Sequence, residues 1–225
     1  MLPSIDSFLL LLKVNKNRFM ILKPNLHCLL LPCILLFIFS SCSSNFHFTK
    51  AEKKLIHAGN ADERMELYTI QNKNDSIILR KASKNIKKIS NISTLQLLLK
   101  RMAVTMDAEK GVGIAAPQIG INRNIFLFTR INDPHKKIQI AINPTIVRHS
   151  DSLYCFDRDG CLSVPEKSGN SKRYEWIEVK YSDENGNIHQ EIFRGGQRNT
   201  DYTNIIFQHE WDHINGKLYI DKLCH

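Results

Sequence analysis

The sequence has little of what several common classes of protein require. Its apolar run at 28–39 has 12 residues, too few for a comfortable membrane span of about 20 residues. Basic residues outnumber acidic ones by nine, but they are spread along the chain without interleaved aromatic residues, so no specific nucleic-acid binding is predicted. The glycines at 111–120 lack a following Lys-Ser or Lys-Thr pair, which excludes a phosphate-binding loop. An apolar content of 43% with 24% charged residues is ordinary for a globular protein and argues against disorder throughout.

The cysteine spacing also lacks the pattern of a disulfide framework. Three of the six cysteines lie within the first 42 residues, which read as a targeting segment. Three remain for the folded part, and they are Cys155, Cys161 and Cys224. A cysteine in a chain that also carries a paired-histidine motif suggests metal ligation instead of a disulfide.

Residues 1–42 are predicted to be a signal peptide or a lipoprotein-type targeting segment. The apolar run follows Lys23, and the small residues after it lead to Cys42 in a stretch that resembles a bacterial lipoprotein cleavage site. Cys42 would then be the lipidated N-terminus, and the protein would be a membrane-associated bacterial lipoprotein. A true start at Met20 would give a signal peptide of normal length. The alternatives to a lipoprotein are a retained anchor, a wrongly assigned upstream sequence, and a cytoplasmic protein.

The polar and charged residues at 43–67 are expected to form a tether to one catalytic domain at 68–225. Within that domain, apolar spacing predicts an amphipathic helix at 93–108 and a second helix at 201–215. The other segments are predicted to be a short strand or turn at 76–82, a loop at 111–120, strands at 124–128 and 137–142, and a hairpin at 176–193. Because strands outnumber helices, the predicted fold class is α+β, with mostly antiparallel sheets packed around the second helix.

Residues 209–213 read HEWDH and carry the most chemical information in the chain. On a helix, His209 and His213 lie on one face, so both imidazoles can reach one metal ion. Glu210 can lean over that metal without binding it and can accept a proton from bound water. A hydrolytic site needs a third protein ligand, and only 12 residues follow His213, so Cys161 upstream is the best candidate. The alternatives are a surface helix with two unrelated histidines, and a buried structural cysteine.

Three motifs, taken together and in order, resemble those of the peptide deformylase family. They are GVGIAAPQIG at 111–120, DGCLS at 159–163 and QHEWDH at 208–213. The resemblance covers residues 68–225 and implies the family's fold and its activity, removal of the formyl group from N-formylmethionyl peptides or nascent proteins. It also implies a metal cofactor, Fe²⁺ in the cell, with Zn²⁺ or Ni²⁺ as alternatives.

The resemblance assigns the metal centre position by position. The positions that match the metal ligands are Cys161, His209 and His213. Glu210 looks like the general acid/base, and Asp212 is expected to make an ion pair, with an arginine, instead of touching the metal. Asp159 stands where the family usually has glutamate, which puts in doubt a contact that the longer side chain makes.

The resemblance also assigns the substrate contacts. The side-chain amide of Gln118 and the backbone N–H of Leu162 look like the donors to the tetrahedral oxyanion. Gly113 resembles the position whose backbone meets the substrate chain, which the absence of a Cβ permits. The apolar pocket for the methionine side chain is expected to be lined by Tyr202, Ile205 and Ile206.

Two other functions stay open at this point. One is an amidase or peptidase on the deformylase fold, and the other is a non-catalytic binding lipoprotein, each acting outside the cytoplasm. Because every residue that carries the chemistry is present, the sequence favours an enzyme over a binding protein.

Overall fold

The computed structural model describes residues 47–87, 89 and 92–224. The predicted targeting segment at 1–42, with Cys42, lies outside the described residues. Within the described ranges, no helix is long and apolar enough to cross a membrane. The elements follow the order α1 Lys50–Ile56, α2 Lys73–Leu79, α3 Ser93–Ala108, β1 Gly113–Ala115, β2 Ile125–Thr129, β3 Ile138–His149, β4 Leu153–Cys161, β5 Val164–Tyr174, β6 Trp176–Ser182, β7 Ile188–Arg194 and α4 Thr203–Ile214, with 3₁₀ helices at Ala116–Ile119 and Tyr219–Lys222.

These strands form two antiparallel sheets. The larger has five strands in the order β1-β2-β3-β6-β7, and β4 pairs with β5 as a separate ribbon. The predicted hairpin at 176–193 corresponds to β6 and β7, which pair along their whole length. The predicted α+β class, with mostly antiparallel sheets around the helix that carries both histidines, is confirmed.

The buried strand β2 separates the two main parts of the core. Because side chains alternate along a strand, Ile125 and Leu127 face the cluster that includes α3, whereas Phe126 and Phe128 face the cluster that includes α4. Phe207 of α4 packs edge-on against both phenylalanines, with ring centroids 4.9 and 5.3 Å away. This aromatic packing fixes the rotation of α4 on the sheet and thereby the direction of its polar side chains.

Both helices predicted from apolar spacing are present. The bounds of α3 are the predicted ones, and its buried apolar residues recur every three or four positions at Leu95, Leu98, Leu99, Met102 and Met106. Helix α4 begins at Thr203, whose backbone N–H donates to Asp201 over 2.9 Å. It ends before Gly216, whose φ of 69° suits a helix end.

The described part of the expected tether is folded. Helix α1 begins with a capping box between Thr49 and Glu52, and Ile56 at its other end is fully buried. Glu52 also pairs with the buried Arg123 over 2.7 Å. Arg101 of α3 donates to backbone carbonyl oxygens at the end of α1. The polar composition of this segment therefore reflects ion pairs and caps that hold it on the domain.

Two predicted segments have a different structure. Residues 76–82, expected as a strand or turn, lie largely in helix α2, because Asn72 caps that helix by accepting from the N–H of Asn74 over 2.9 Å. Residues 111–120, expected as a loop or turn, contain β1 and a 3₁₀ helix. Pro117 lies in the first turn of that 3₁₀ helix, where a missing N–H costs nothing.

Two strands extend beyond what the sequence pattern shows. Strand β3 continues past Pro144 because its pairing with β6 shifts register between Ile142 and Thr145. Asn143 adopts a φ of 51° there, and its amide bonds both the N–H and the C=O of Ile86. Strand β5 is mostly polar, and two of its three buried residues, Ser171 and Arg173, are polar as well, so no apolar alternation marks it.

One disulfide links Cys155 to Cys224, whose Cα atoms are 6.2 Å apart. The expectation drawn from cysteine spacing was wrong for this pair. The two residues are 69 positions apart and are brought together by strand pairing, which the spacing does not reveal. Cys161 is the free cysteine of the described residues.

Candidate metal centre and active site

The three predicted metal ligands converge. The Cys161 sulfur and ring nitrogens of His209 and His213 all lie within 4.8 Å of one another, and Sγ is 3.2 Å from His213 Nε2. A thiolate with two imidazoles suits Zn²⁺ or Fe²⁺, and three protein ligands leave a coordination position for water or substrate. The donor set therefore fits a single divalent transition metal.

The local structure explains why these side chains meet. His209 and His213 lie one helical turn apart on α4, with ring centroids 5.1 Å apart. Cys161 is the last residue of β4, directly before a tight turn into β5. That turn is held by the buried Ser163, whose carbonyl oxygen accepts from the N–H of Ile70 over 3.0 Å.

Asp159 orients His209. Its Oδ1 lies 3.0 Å from His209 Nδ1, and its Oδ2 accepts from Ser171 at 2.5 Å and from Arg173 at 2.6 Å. A carboxylate on Nδ1 directs Nε2 toward the metal position. Burial opposes the ionisation of Asp159, but His209 and Arg173 hold its pKa well below the usual range. The shorter carboxylate therefore reaches both His209 and Arg173 in this structure.

Arg173 connects this ribbon to α4. Its guanidinium is fully buried and donates to Asp212 over 2.6 Å as well as to Asp159. Lys222 donates to the other oxygen of Asp212 over 2.5 Å. The predicted ion pair between Asp212 and an arginine is confirmed. The buried charges balance one another, which is the condition under which such charges are tolerated inside a protein.

Glu210 lies beside the ligands with an oxygen that has no partner. The residue is 4% exposed, and its Oε2 makes no hydrogen bond within the described part of the chain. Burial raises the pKa of Glu210 to about 8. Gly113 of β1 passes so close that a Cβ there would lie 2.8 Å from Glu210 Cδ. The missing side chain at 113 is therefore what leaves room for the carboxyl group.

The amide of Gln118 has a fixed orientation. Its Oε1 accepts from the N–H of Ala115 over 2.8 Å, so its Nε2 points the other way, 3.2 Å from Ser163 Oγ and 3.9 Å from Cys161 Sγ. The amide hydrogens are thus directed toward the cysteine side of the metal centre. Leu162, in the turn after Cys161, lines the same space.

These groups open onto one cavity of about 550 Å³. The predicted site residues on its wall are Gly113, Gln118, Cys161, Leu162, Tyr202, Ile205, Ile206, His209 and Glu210. The predicted ligand His213 is buried and does not line the cavity, but it lies next to Cys161 at its edge.

The cavity wall also contains residues that the sequence reading missed, chiefly Phe156 and Arg198. The Phe156 ring stacks on Tyr202 with centroids 6.2 Å apart, and the Arg198 guanidinium lies 5.1 Å from the Phe156 centroid. Arg198 also donates to the backbone of Asp157 over 3.3 Å. No sequence motif marks either residue.

A cysteine and two histidines converging on a buried helix, with a carboxyl group and an amide beside them, define a metal-dependent hydrolase. The chain belongs to the polypeptide deformylase family, whose model matches residues 65–225. This match confirms the predicted family and the predicted enzyme class. Helix α1 lies before the matched range.

Individual relatives agree with the family. The peptide deformylase of Synechocystis is 37% identical over 147 residues, which cover 65% of this chain and 74% of the relative. The structure of a class I type b peptide deformylase from Acinetobacter baumannii, solved with Met-Ala-Ser bound, is 27% identical with a TM-score of 0.63 and covers 72% of this chain and 99% of that one. The peptide deformylase of Thermotoga maritima is 31% identical, with a TM-score of 0.62 over the same shares.

Proposed function

We propose that this protein removes the formyl group from N-formylmethionyl peptides or nascent proteins, releasing formate. The observation that carries the proposal is the convergence of a Cys-His-His donor set, the unpartnered carboxyl group of Glu210 and the oriented amide of Gln118 beside one cavity. Formamide hydrolysis needs these three functions, because it requires an activated water, a proton carrier and a partner for the developing oxyanion.

Cys161, His209 and His213 would hold the metal. We propose Fe²⁺, with Zn²⁺ or Ni²⁺ as alternatives, because all three accept thiolate and imidazole ligands. When bound, the metal supplies Lewis acidity and makes water acidic enough to act as the nucleophile at neutral pH. Asp159 and the Arg173 network behind it hold the His209 ring in place for this role.

Glu210 would carry the proton. Its carboxylate accepts a proton from the attacking water and passes it to the methionine nitrogen as the C–N bond breaks. The contact with Gly113 limits the movement of the carboxyl group, so its distance to the reacting atoms is set by β1 as well as by α4. The product formate leaves with the oxygen from water, and the peptide leaves with a free amine.

Gln118 and Leu162 would stabilise the oxyanion. The formyl carbonyl oxygen becomes negative as water adds, and two N–H donors aimed at it lower the barrier by several kcal/mol. Gln118 is suited to this role because the N–H of Ala115 donates to its side-chain oxygen, so that its NH₂ group is the end directed toward the cavity. Leu162 lines the cavity from the tight turn between β4 and β5, directly after Cys161.

The methionine side chain would occupy the apolar side of the cavity. Tyr202, Ile205 and Ile206 line it, and burial of each methylene of the substrate contributes about 0.8 kcal/mol. Gly113 lines the cavity from β1, where a substrate backbone can approach without meeting a side chain. The A. baumannii relative with Met-Ala-Ser bound supports a peptide that begins with methionine.

Release of formate tests the proposal. The Fe²⁺-loaded full chain is expected to release formate from formyl-Met-Ala-Ser and to leave acetyl-Met-Ala-Ser intact, because the added methyl group enlarges the acyl group beside the metal centre. If no formate is released under anaerobic conditions with stoichiometric metal, the proposal is abandoned. Cleavage of internal amide bonds in unformylated peptides would then favour an amidase or peptidase.

We also propose that residues 1–42 direct the chain to the membrane and that Cys42 becomes the lipidated N-terminus. The support is the apolar run followed by small residues and a cysteine. Cell fractionation with mass spectrometry of the mature N-terminus is the test. A diacylglyceryl group on Cys42 is the expected result, whereas an intact N-terminus in the soluble fraction would contradict it and favour a cytoplasmic protein.

A further inference from the structure

The Cys155–Cys224 bond joins two segments that both lead to the metal centre. Cys155 belongs to β4, the strand that ends at the proposed ligand Cys161. Cys224 closely follows the 3₁₀ helix at 219–222. The bond therefore closes a ring of chain that contains all three proposed ligands.

The segment that precedes Cys224 makes direct contact with α4. The Tyr219 ring is buried and lies nearly parallel to the His209 ring, with centroids 6.4 Å apart. Lys222 donates to Asp212, the aspartate that also binds Arg173. If this segment moved away, the ring of the proposed ligand His209 would lose its packing against Tyr219. Asp212 would lose its contact with the charged side chain of Lys222.

Backbone pairing sets the distance between the two sulfurs. Leu223 forms an antiparallel bridge with Ser171 of β5, and the N–H of Cys224 donates to the carbonyl of Asn170 over 2.8 Å. The Cα separation of 6.2 Å lies within the usual range for disulfides. Because these contacts hold the pair in place, the two thiols can be oxidised without rearrangement of the fold.

We propose that the working enzyme carries this disulfide as a covalent modification acquired in an oxidising compartment, and that the bond holds segment 219–224 against the metal-binding helix. Cys155 is exposed, so an external partner can reach it. The co-reactant is a thiol–disulfide oxidoreductase in its disulfide form. Two thiols of this chain form one S–S bond, and their two electrons and two protons convert the partner's disulfide into a dithiol.

Oxidation of this pair would spare the metal centre. Cys161 lies six positions beyond Cys155 on the same strand, up to about 20 Å away at the extended rise. A wrong pairing between them would require β4 to unfold. Disulfides persist in extracytoplasmic compartments and are rare in the cytosol, so the modification agrees with the proposed targeting segment. It does not depend on deformylase activity.

Thiol trapping in intact cells tests the modification. Cells of the native host are quenched in acid, free thiols are alkylated with N-ethylmaleimide, and the full-length protein is digested with trypsin without reduction. The expected products are peptide 149–158 linked to peptide 223–225, and alkylated peptide 159–167, which carries Cys161. Recovery of 149–158 and 223–225 mainly as separate alkylated peptides would overturn the proposal, whatever the turnover of the enzyme.

Variants test the holding role. Cys155→Ser, Cys224→Ser and the double variant are each expected to lower the Tm by about 10 °C, since the closed loop is long, and the double variant should add nothing to the single ones. Wild-type protein treated with dithiothreitol is the matched control and should show the same fall. Zn²⁺-loaded variants should also lose metal to a chelator about tenfold faster. A Tm within about 2 °C of oxidised wild type, a fall that reduction does not reproduce, or unchanged metal loss would overturn the holding role.

Discussion

Gly113→Ala is expected to disable the chemical step while the domain stays folded. The new Cβ would lie 2.8 Å from Glu210 Cδ and 2.9 Å from Cγ, and still closer to Oε1. Carbon atoms in ordinary van der Waals contact are about 3.5 Å apart, so either the new methyl group or the Glu210 side chain must move by roughly 1 Å. The backbone of Gly113 is paired with Phe128 in the sheet, whereas the carboxyl group of Glu210 ends a rotatable side chain. We therefore expect Glu210 to move.

The size of the effect follows from that displacement. A misplacement of about 1 Å at a reacting group costs about 100-fold in rate, which corresponds to about 2.7 kcal/mol of activation free energy. Overpacking a buried site costs about 1–3 kcal/mol of stability, less than the total for a typical domain. The variant should accordingly remain folded at 25 °C, bind one metal per chain, and lose about 100-fold in kcat.

The assay is the initial rate of formate release at saturating formyl-Met-Ala-Ser, with metal content and thermal unfolding measured on the same samples. Gly160→Ala is the matched control, because the same added methyl group in the same cavity would meet its nearest neighbour, the carbonyl oxygen of Lys167, at 4.0 Å. Its kcat should be near that of wild type. A Gly113→Ala enzyme with kcat within about threefold of wild type, even with a raised KM, would refute the displacement of Glu210.

Three further variants test separate parts of the site. Glu210→Gln should keep its metal and lose about 10²–10⁴-fold in kcat because the proton carrier is gone, and equal turnover would rule out that role. Cys161→Ala should lower metal content well below one per chain in elemental analysis, whereas unchanged stoichiometric metal would refute ligation. Arg173→Met should reduce the free energy of unfolding in urea by about 3–5 kcal/mol, because Asp159 would stay buried without its guanidinium partner and Asp212 would keep only Lys222, and a loss below about 1 kcal/mol would show that water or other groups compensate.

Local patterns were sufficient to predict the elements whose burial is periodic. Helix α3 alternates apolar and polar residues with the period of a helix, and α4 carries its two histidines one turn apart. The hairpin of β6 and β7 has a turn sequence flanked by alternating runs. In each case the information needed is contained in fewer than about 20 neighbouring residues, which is the range that periodicity can report.

The segments that were missed depend on distant partners. Glu52 of α1 meets Arg123, 71 positions away, and that pair gives a polar segment a reason to be ordered. Strand β5 has few apolar residues because the β4–β5 ribbon carries buried charge, with Arg173 fully buried. The Cys155–Cys224 bond spans 69 positions. No local window of sequence contains both members of these pairs.

In the candidate site, too, local motifs could be predicted from the sequence and contacts between distant residues could not. The convergence of the three proposed metal ligands was predictable because His209 and His213 belong to one helix turn and Cys161 belongs to a short motif. The residues that hold those ligands were less predictable, since Asp159 is a shorter acid than the resemblance leads one to expect. The structure shows that Asp159 nevertheless spans the distance to His209.

The shorter acid at 159 is accommodated because its second oxygen is held from two sides. Ser171 donates to that oxygen at 2.5 Å and Arg173 at 2.6 Å, and both donors lie on β5, the strand that pairs with β4. Arg173 is in turn fixed by Asp212 on α4, one residue before His213. The orientation of His209 therefore depends on a chain of buried charges that runs from the ribbon to the helix and back.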